Sequence, residues 1–204
     1  RVLDLGCGGG RLLQVLKDER QTVGTGVEID FASALATLDR GFDVILGAPA
    51  GDVDGSGEDR GLSLVPDDSF DTVVLSETLQ ETQRPHRVLD EVLRVARQAI
   101  VTFPNFGFLA TRLKLLVTGR MPKNRHLPAE WYDTPNIHLF TFKDFMDLCR
   151  RERIRVRQIH HLATSFMGRL LIAAGRPNAG AERVIVQIAR AADEPKEPQH
   201  AKMD

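Results

Sequence analysis

The segment Asp4-Leu5-Gly6-Cys7-Gly8-Gly9-Gly10 sets a carboxylate two residues ahead of a run of glycines. Val2 to Leu5 reads as a short strand, and Leu12, Leu13, Val15 and Leu16 recur at helical spacing beyond the glycines. At a strand-to-helix turn, Gly6 and Gly8 permit a tight reversal and leave bare backbone for a ligand, while Gly10 lets the helix pack close to the strand. Glu28 closes a second strand 18 residues after Gly10, where a carboxylate accepts both hydroxyls of a ribose. A nicotinamide dinucleotide also uses an acid at that place, so the glycine spacing has to decide. The dinucleotide fingerprint G-x-G-x-x-G, with a pyrophosphate at the helix N-terminus, is not met, because Arg11 stands where its last glycine belongs.

Other reactive groups are sparse. His86, His138 and Asp133 are the candidates for a general base. His86 follows Pro85 in the first turn of a helix, a surface position; His138, amid prolines and aromatics, serves either the pocket mouth or a structural hydrogen bond. No G-x-S-x-G nucleophile elbow occurs, since Ser76 is flanked by Leu75 and by Glu77-Thr78. Cys7 and Cys149 form neither a CxxC pair nor part of a Cys/His cluster, which argues against a structural zinc and a disulfide scaffold. This cysteine usage fits a reducing cytoplasm.

The elements that must position these residues alternate from the start. Strands are expected at Val2–Leu5, Thr22–Ile29, Asp43–Leu46, Phe70–Leu75 and Ala99–Phe103, and helices after the glycine turn, over Ala32–Arg40 and from Pro85 to Ala96. Residues 47–69, rich in Gly, Asp and Ser, read as a long loop. Residues 105–140 interrupt the pattern with an apolar and basic helical stretch, then prolines with Trp131 and Tyr132. A helix opened by Thr141, with Asp144 completing a capping box, follows. Strands near Arg155–Leu162 and Arg183–Ala189 are expected to pair as an antiparallel edge hairpin around a loop at 175–180. The expectation is an α/β fold: a Rossmann-like, doubly wound, mostly parallel sheet of seven strands in a single domain over residues 1–190, with a disordered tail at 191–204.

Composition bounds the function. The 204 residues carry 27 Lys+Arg against 28 Asp+Glu, a net charge of −1, so a basic field for nucleic acid is lacking. No apolar run approaches the length of a membrane span and no charged-then-apolar leader opens the sequence, which predicts a cytoplasmic protein without a membrane partner. The first residue is Arg1 with a strand already under way at Val2, so numbering is expected to begin inside a longer chain.

D-x-G-x-G-x-G followed by an acid closing the next strand resembles the class I methyltransferases, which bind S-adenosylmethionine. That ligand has no phosphate but a cationic sulfonium and an amino-acid end, which suits Asp4. The resemblance implies cofactor contacts from Asp4, Gly6, Cys7, Gly8 and Gly10, from Glu28 and Ile29, from Ala48, and from Ser76 and Leu79 beside the methionyl part. Where such enzymes often carry a Gly-Asp pair near adenine, this chain has Gly47-Ala48-Pro49. Asp52 and Asp54 lie further along the loop, so either the loop folds back to bring an acid or backbone amides hold the base.

Downstream, Val74-Leu75-Ser76-Glu77-Thr78-Leu79-Gln80, Arg94-Val95, Phe103-Pro104-Asn105-Phe106-Gly107, Gly119-Arg120-Met121-Pro122 and Trp131-Tyr132-Asp133-Thr134-Pro135-Asn136-Ile137-His138-Leu139 resemble the MetW family of methionine-biosynthesis proteins, from Val2 to about Arg150. The resemblance implies an accessory subunit that binds S-adenosylmethionine or S-adenosylhomocysteine and supports a homoserine O-acyltransferase of the α/β-hydrolase type, the acyl transfer belonging to that partner. The alternative is a stand-alone methyltransferase acting on a small molecule. In the 105–140 insertion, Phe106, Phe108, Leu109, Leu113 and Leu116 suit a lid, a docking face or a satellite core. Arg112, Lys114, Arg120, Lys123 and Arg125 add positive charge, and Trp131 and Tyr132 serve either as interface anchors or as internal packing.

Overall fold

The computed structural model describes residues 1–48, 61–123 and 128–191. The chain runs β1 (Val2–Leu5), α1 (Arg11–Arg20), β2 (Gly24–Glu28), α2 (Phe31–Asp39) and β3 (Asp43–Leu46). It continues through β4 (Phe70–Ser76), α3 (Pro85–Val95), β5 (Ala96–Pro104), α4 (Leu109–Thr118) and α5 (Phe142–Arg151). The last elements are β6 (Arg155–Leu162), α6 (Phe166–Ala173), α7 (Pro177–Gly180) and β7 (Arg183–Ala189). The strands form one seven-stranded sheet in the order β3-β2-β1-β4-β5-β7-β6. The first five are parallel; β7 pairs antiparallel with both β5 and β6.

One face of the central strands is apolar throughout and carries the main core, while the alternate positions include Asp4, Thr72 and Thr102. Leu3, Leu5, Val73, Leu75, Val101 and Phe103 are all fully buried. Against this sheet α3 presses Val88, Leu89, Val92, Leu93 and Val95, a stripe at helical spacing with Pro85 in the first turn. Each such side chain contributes about 1.5–3 kcal/mol through its removal from water. Phe103, Phe140 and Phe145 form an aromatic cluster under α5, with Phe103 4.9 Å from each of the other two rings. The capping box at Thr141 and Asp144 is formed.

The expected antiparallel pairing of β6 with β7 is found, and its connection is revised. The link between β6 and β7 is not a simple hairpin loop: Ser165 caps α6 by accepting from the Gly168 amide at 3.1 Å, and α6 and α7 both lie between the strands. β7 is accordingly inserted beside β5, and β6 alone forms that edge. Among the described residues no α-helix joins β3 to β4, where only a 3-10 turn at Leu62–Leu64 appears. The expected tail lies outside the described residues after position 191, as do Asp52, Asp54 and Arg125.

Two residues from the downstream motifs hold elements together. The Arg94 guanidinium donates to the carbonyls of Leu62 and Val65, both at 2.8 Å, and to Asp67 and Glu91, pinning the approach to β4 onto α3. Asn105 is 3% exposed and uses its whole amide. Its Nδ2 donates to the carbonyls of Asn178 and Ala181, both at 2.9 Å, and its Oδ1 accepts from the amides of Gly107 at 3.0 Å and Phe142 at 2.9 Å. One side chain thereby ties the end of β5 to the start of α5 and to the turn before β7. Replacing Asn105 with Leu strands four backbone groups, and urea denaturation is expected to show a loss of about 2–4 kcal/mol. A loss below about 0.5 kcal/mol, the range of an ordinary surface change, would contradict this role.

Candidate functional site

From β1 the chain winds outward through β2 and β3, and from β4 it winds the other way to β5. Loops leaving the carboxyl ends of β1 and β4 therefore diverge and open a crevice, the usual ligand position in doubly wound sheets. The sequence-derived candidates meet there: Asp4 and the glycine loop after β1, Glu28 and Ile29 at the end of β2, and Ser76 at the end of β4.

The glycine loop is a chain of left-handed residues, with φ of 74° at Gly6, 52° at Gly8 and 73° at Gly10. Two threonines hold it. Thr78, after β4, donates its hydroxyl to the Leu5 carbonyl at 2.8 Å, and its methyl lies where a Gly6 side chain would project, 2.8 Å away. Thr37, at the end of α2, donates to the Gly8 carbonyl at 2.8 Å and fills the corresponding space at Gly10, at 2.9 Å. Cys7 is buried, free and packed against the Thr37 hydroxyl, and burial pushes its thiol up to about 11. At Gly8, by contrast, the direction of a side chain is open space.

Glu28 spans the loop and the next turn. Its Oε2 accepts from the Gly8 amide at 2.7 Å, and its Oε1 accepts from the amides of Ile29 at 2.8 Å and Asp30 at 2.9 Å. Ile29 is largely exposed beside it, and Ala48 is buried after β3. Asp4 is 2% exposed and its Oδ1 has no hydrogen-bond partner. Burial, with the charge of Glu28 adding to it, pushes Asp4 from 3.8 to about 7. Glu81 is raised for similar reasons: burial first, then Glu28 and Glu77. The crevice is acidic.

On the β4 side Ser76 is exposed, whereas Leu79 is turned into the core at 1% exposure. Glu77 has a φ of 60°, unusual for a residue with a side chain. Its amide donates to the Thr102 carbonyl at 3.1 Å and its carboxylate pairs with Arg183, contacts that hold this conformation. The buried carbonyl of Gln80 accepts from the amides of Ile137 and His138, both at 3.0 Å, and binds the 136–140 strap to the site's edge. The His138 ring nitrogen lies 3.4 Å from the Gln83 carbonyl, a structural placement. His86 and Asp133 are exposed.

The insertion does not make a satellite core along α4: Leu113, Leu115, Leu116 and Val117 are exposed, the last two at 80%. Trp131 and Tyr132 are exposed as well, stacked edge to face at 5.5 Å. A groove of about 840 Å³ beside them is lined by Phe106, Met121 and Trp131 together with Lys114, Arg120 and Lys123. Among the described residues no group of His, Cys, Asp and Glu converges to hold a metal, and no helix is long and apolar enough to cross a membrane.

Sequence reasoning missed Thr37, Thr78 and Gln80. A polar residue three positions after Ala34, on the buried face of α2, is the signal that could have found Thr37. Thr78 and Gln80 lie in the string 74–80 that carries the family resemblance, but their roles depend on contacts with distant segments.

Asp4 yields a pH test. Its folded-state value lies above its unfolded one, so the stability it contributes is complete below pH 3.8 and is lost as pH rises through about 7. The full difference corresponds to at most about 4 kcal/mol. Urea denaturation from about pH 5 to about pH 8 is expected to show the wild type losing stability relative to Asp4→Asn; a constant difference would contradict the buried carboxyl's role.

Comparison with known proteins supports one lineage. The sequence profile of the family described as methionine biosynthesis protein MetW matches residues 1–188. The bifunctional methionine biosynthesis protein MetXA/MetW of Rhodopirellula baltica is 40% identical over 156 residues, covering 72% of this chain and 24% of that protein. The chain spans about a quarter of that relative's length. A crystal structure of an S-adenosylmethionine-dependent methyltransferase from Mesorhizobium loti matches with a TM-score of 0.63 at 14% identity, over 93% of this chain and 90% of that one. A Thermotoga maritima methyltransferase, a possible histamine N-methyltransferase, matches with a TM-score of 0.62 at 17% identity, over 94% and 82%. At such identities these two establish the fold. With the profile covering nearly all of its length, the chain belongs to the methionine biosynthesis protein MetW family, built on the class I methyltransferase fold.

Proposed function

We propose that this chain is an S-adenosylmethionine-binding accessory subunit of methionine biosynthesis that supports a homoserine O-acyltransferase of the α/β-hydrolase type. The observation that carries the reading is the Rhodopirellula baltica relative, in which MetXA and MetW are parts of one bifunctional protein. Two activities joined in one chain act at a fixed, high local concentration, and separate chains of the same kind need a docking surface to achieve it. Exposed Trp131 and Tyr132, with Leu116 and Val117 of α4, supply residue types suited to one.

The crevice fits a cationic nucleoside. Glu28 would accept from the ribose hydroxyls, Ile29 and Ala48 would border the base, and the bare backbone at Gly8 would let the ligand lie close. Glu28, with the unpartnered Oδ1 of buried Asp4 beside it, gives the site the sign that a sulfonium and an ammonium group require. When bound, S-adenosylmethionine supplies an activated methyl group. This chain's residues bind and orient it, and hold the negative charge beside it. Stand-alone methyl transfer draws less support: His86 and Asp133 face solvent and His138 is engaged with the Gln83 carbonyl, so no evident base is directed at the crevice.

The test pairs this protein with the acyltransferase of the same organism. Co-elution and a gain in acyltransferase activity on addition are expected, with Trp131→Ala/Tyr132→Ala weakening association by about tenfold or more. Absence of both effects, together with production of S-adenosylhomocysteine from a defined acceptor, would transfer the assignment to a stand-alone methyltransferase. Calorimetry should show Glu28→Ala lowering affinity for S-adenosylmethionine by about 1–3 kcal/mol, the range for losing hydrogen bonds to a charged group. Unchanged affinity would remove Glu28 from the site.

A further inference from the structure

We propose that Thr37 and Thr78 are positioning residues that hold the glycine loop in its ligand-binding form, so that the site is assembled before the nucleoside arrives. The proposal rests on the reading of the crevice as a nucleoside site and adds the device that keeps it in shape.

Three successive alternate residues of the loop, Gly6, Gly8 and Gly10, are left-handed. Glycine tolerates that conformation without enforcing it, because it populates positive and negative φ about equally. A run of glycines on its own would therefore be mobile. Ordering it at the moment of binding would cost conformational entropy at each residue. Something outside the loop has to select one conformation.

The two threonines meet that requirement from opposite sides of the crevice. Thr37 reaches in from α2, on the β2 side, and Thr78 from the segment after β4. Each is almost fully buried, at 0% and 7% exposure. Each does two things at once. Its hydroxyl donates at 2.8 Å to a carbonyl at the root of the loop or within it, Leu5 for Thr78 and Gly8 for Thr37. Its methyl, together with the hydroxyl oxygen, occupies the space beside a left-handed glycine, Gly10 for Thr37 and Gly6 for Thr78. The hydrogen bond fixes the orientation of the peptide plane, and the methyl blocks the volume into which the loop would otherwise relax. The carboxylate of Glu28 completes the arrangement by accepting from the Gly8 amide, so the two peptide groups that flank the Gly8 Cα are each held by one hydrogen bond. Among the described residues, nothing lies within 4 Å in the direction a Gly8 side chain would take.

Valine and serine each remove one half of this action. Thr→Val keeps the volume and removes the hydroxyl donor to the loop carbonyl; Thr→Ser keeps the donor and frees space. Thr72→Val is the control: its hydroxyl accepts from Gln98 Nε2 at 2.9 Å near the opposite end of β4, away from the crevice.

The experiment measures S-adenosylhomocysteine binding by calorimetry and amide hydrogen exchange across residues 6–10 without ligand, for the full chain and each variant. Thr37→Val and Thr78→Val are expected to lower affinity by about tenfold each and to speed exchange in residues 6–10. Thr37→Ser and Thr78→Ser should stay within about twofold in affinity. Thr72→Val should change melting temperature alone. Unchanged exchange in the valine variants, or equal affinity losses in the valine variants and the Thr72→Val control, would overturn the proposal. If the wild type binds neither S-adenosylmethionine nor S-adenosylhomocysteine while exchange still responds as stated, the clamp stands as a loop-holding device and the nucleoside reading falls.

Discussion

Where the strand order reverses between β1 and β4, two neighbouring loops leave the sheet in opposite directions, and beyond the Gly6 and Cys7 amides, which still donate to the Val27 carbonyl, the backbone of the glycine loop leaves the ladder. Buried backbone groups without partners are costly, so the crevice that the topology opens has to be lined by side chains that replace the ladder. Glu28 takes three amides, Thr37 and Thr78 take one carbonyl each, and the amide of Glu77 turns back to Thr102. These contacts come from α2, the end of β2 and the segment after β4, so the site's shape depends on the docking of both halves of the sheet. Asp4 is the exception at the centre: it is buried, it has an unpartnered oxygen, and its neighbours carry the same charge. A fold tolerates such a group where a cation completes it, and S-adenosylmethionine is a cation of fitting chemistry.

The most distinctive downstream residues divide between structure and surface. Asn105 and Arg94 are consumed by hydrogen bonds inside the fold, and the Gln80 carbonyl secures the strap from 136 to 140. Trp131 and Tyr132, from the same stretch of chain, are left facing solvent. One motif thus anchors a strap and presents an aromatic pair at its outer end. That division suits a protein whose fold holds a ligand on one side and whose insertion faces a partner on the other.

Much of this was legible in the sequence because it rests on local rules. Strand, glycine turn and helix at residues 2–20, the apolar stripe of α3 and the capping box of α5 are short-range patterns, and each is found where it was expected. The carboxylates Asp4 and Glu28 were legible for the same reason, since their spacing from the glycines is fixed by one strand–helix–strand unit. What escaped depends on long-range contact. Thr78 meets Leu5 across 73 positions, and Asn105 meets Ala181 across 76. Neither partner can be chosen before the strand order is known. The helix α6 was missed because the apolar run from Phe166 to Ala173 follows a strand closely and reads as part of a hairpin connection. The exposure of Trp131 and Tyr132 was left open by the sequence, since aromatic residues serve packing and interfaces alike.

The central claim is that the crevice between β1 and β4 holds a nucleoside with a cationic end, on a frame that is already formed. A crystal structure of the chain with S-adenosylhomocysteine tests it most directly. The account predicts the ribose at Glu28 and the ligand lying over Gly8, with the backbone of residues 6–10 unchanged from that described above. Ligand bound elsewhere, for instance in the groove beside Trp131, or a glycine loop rebuilt around it, would contradict the account.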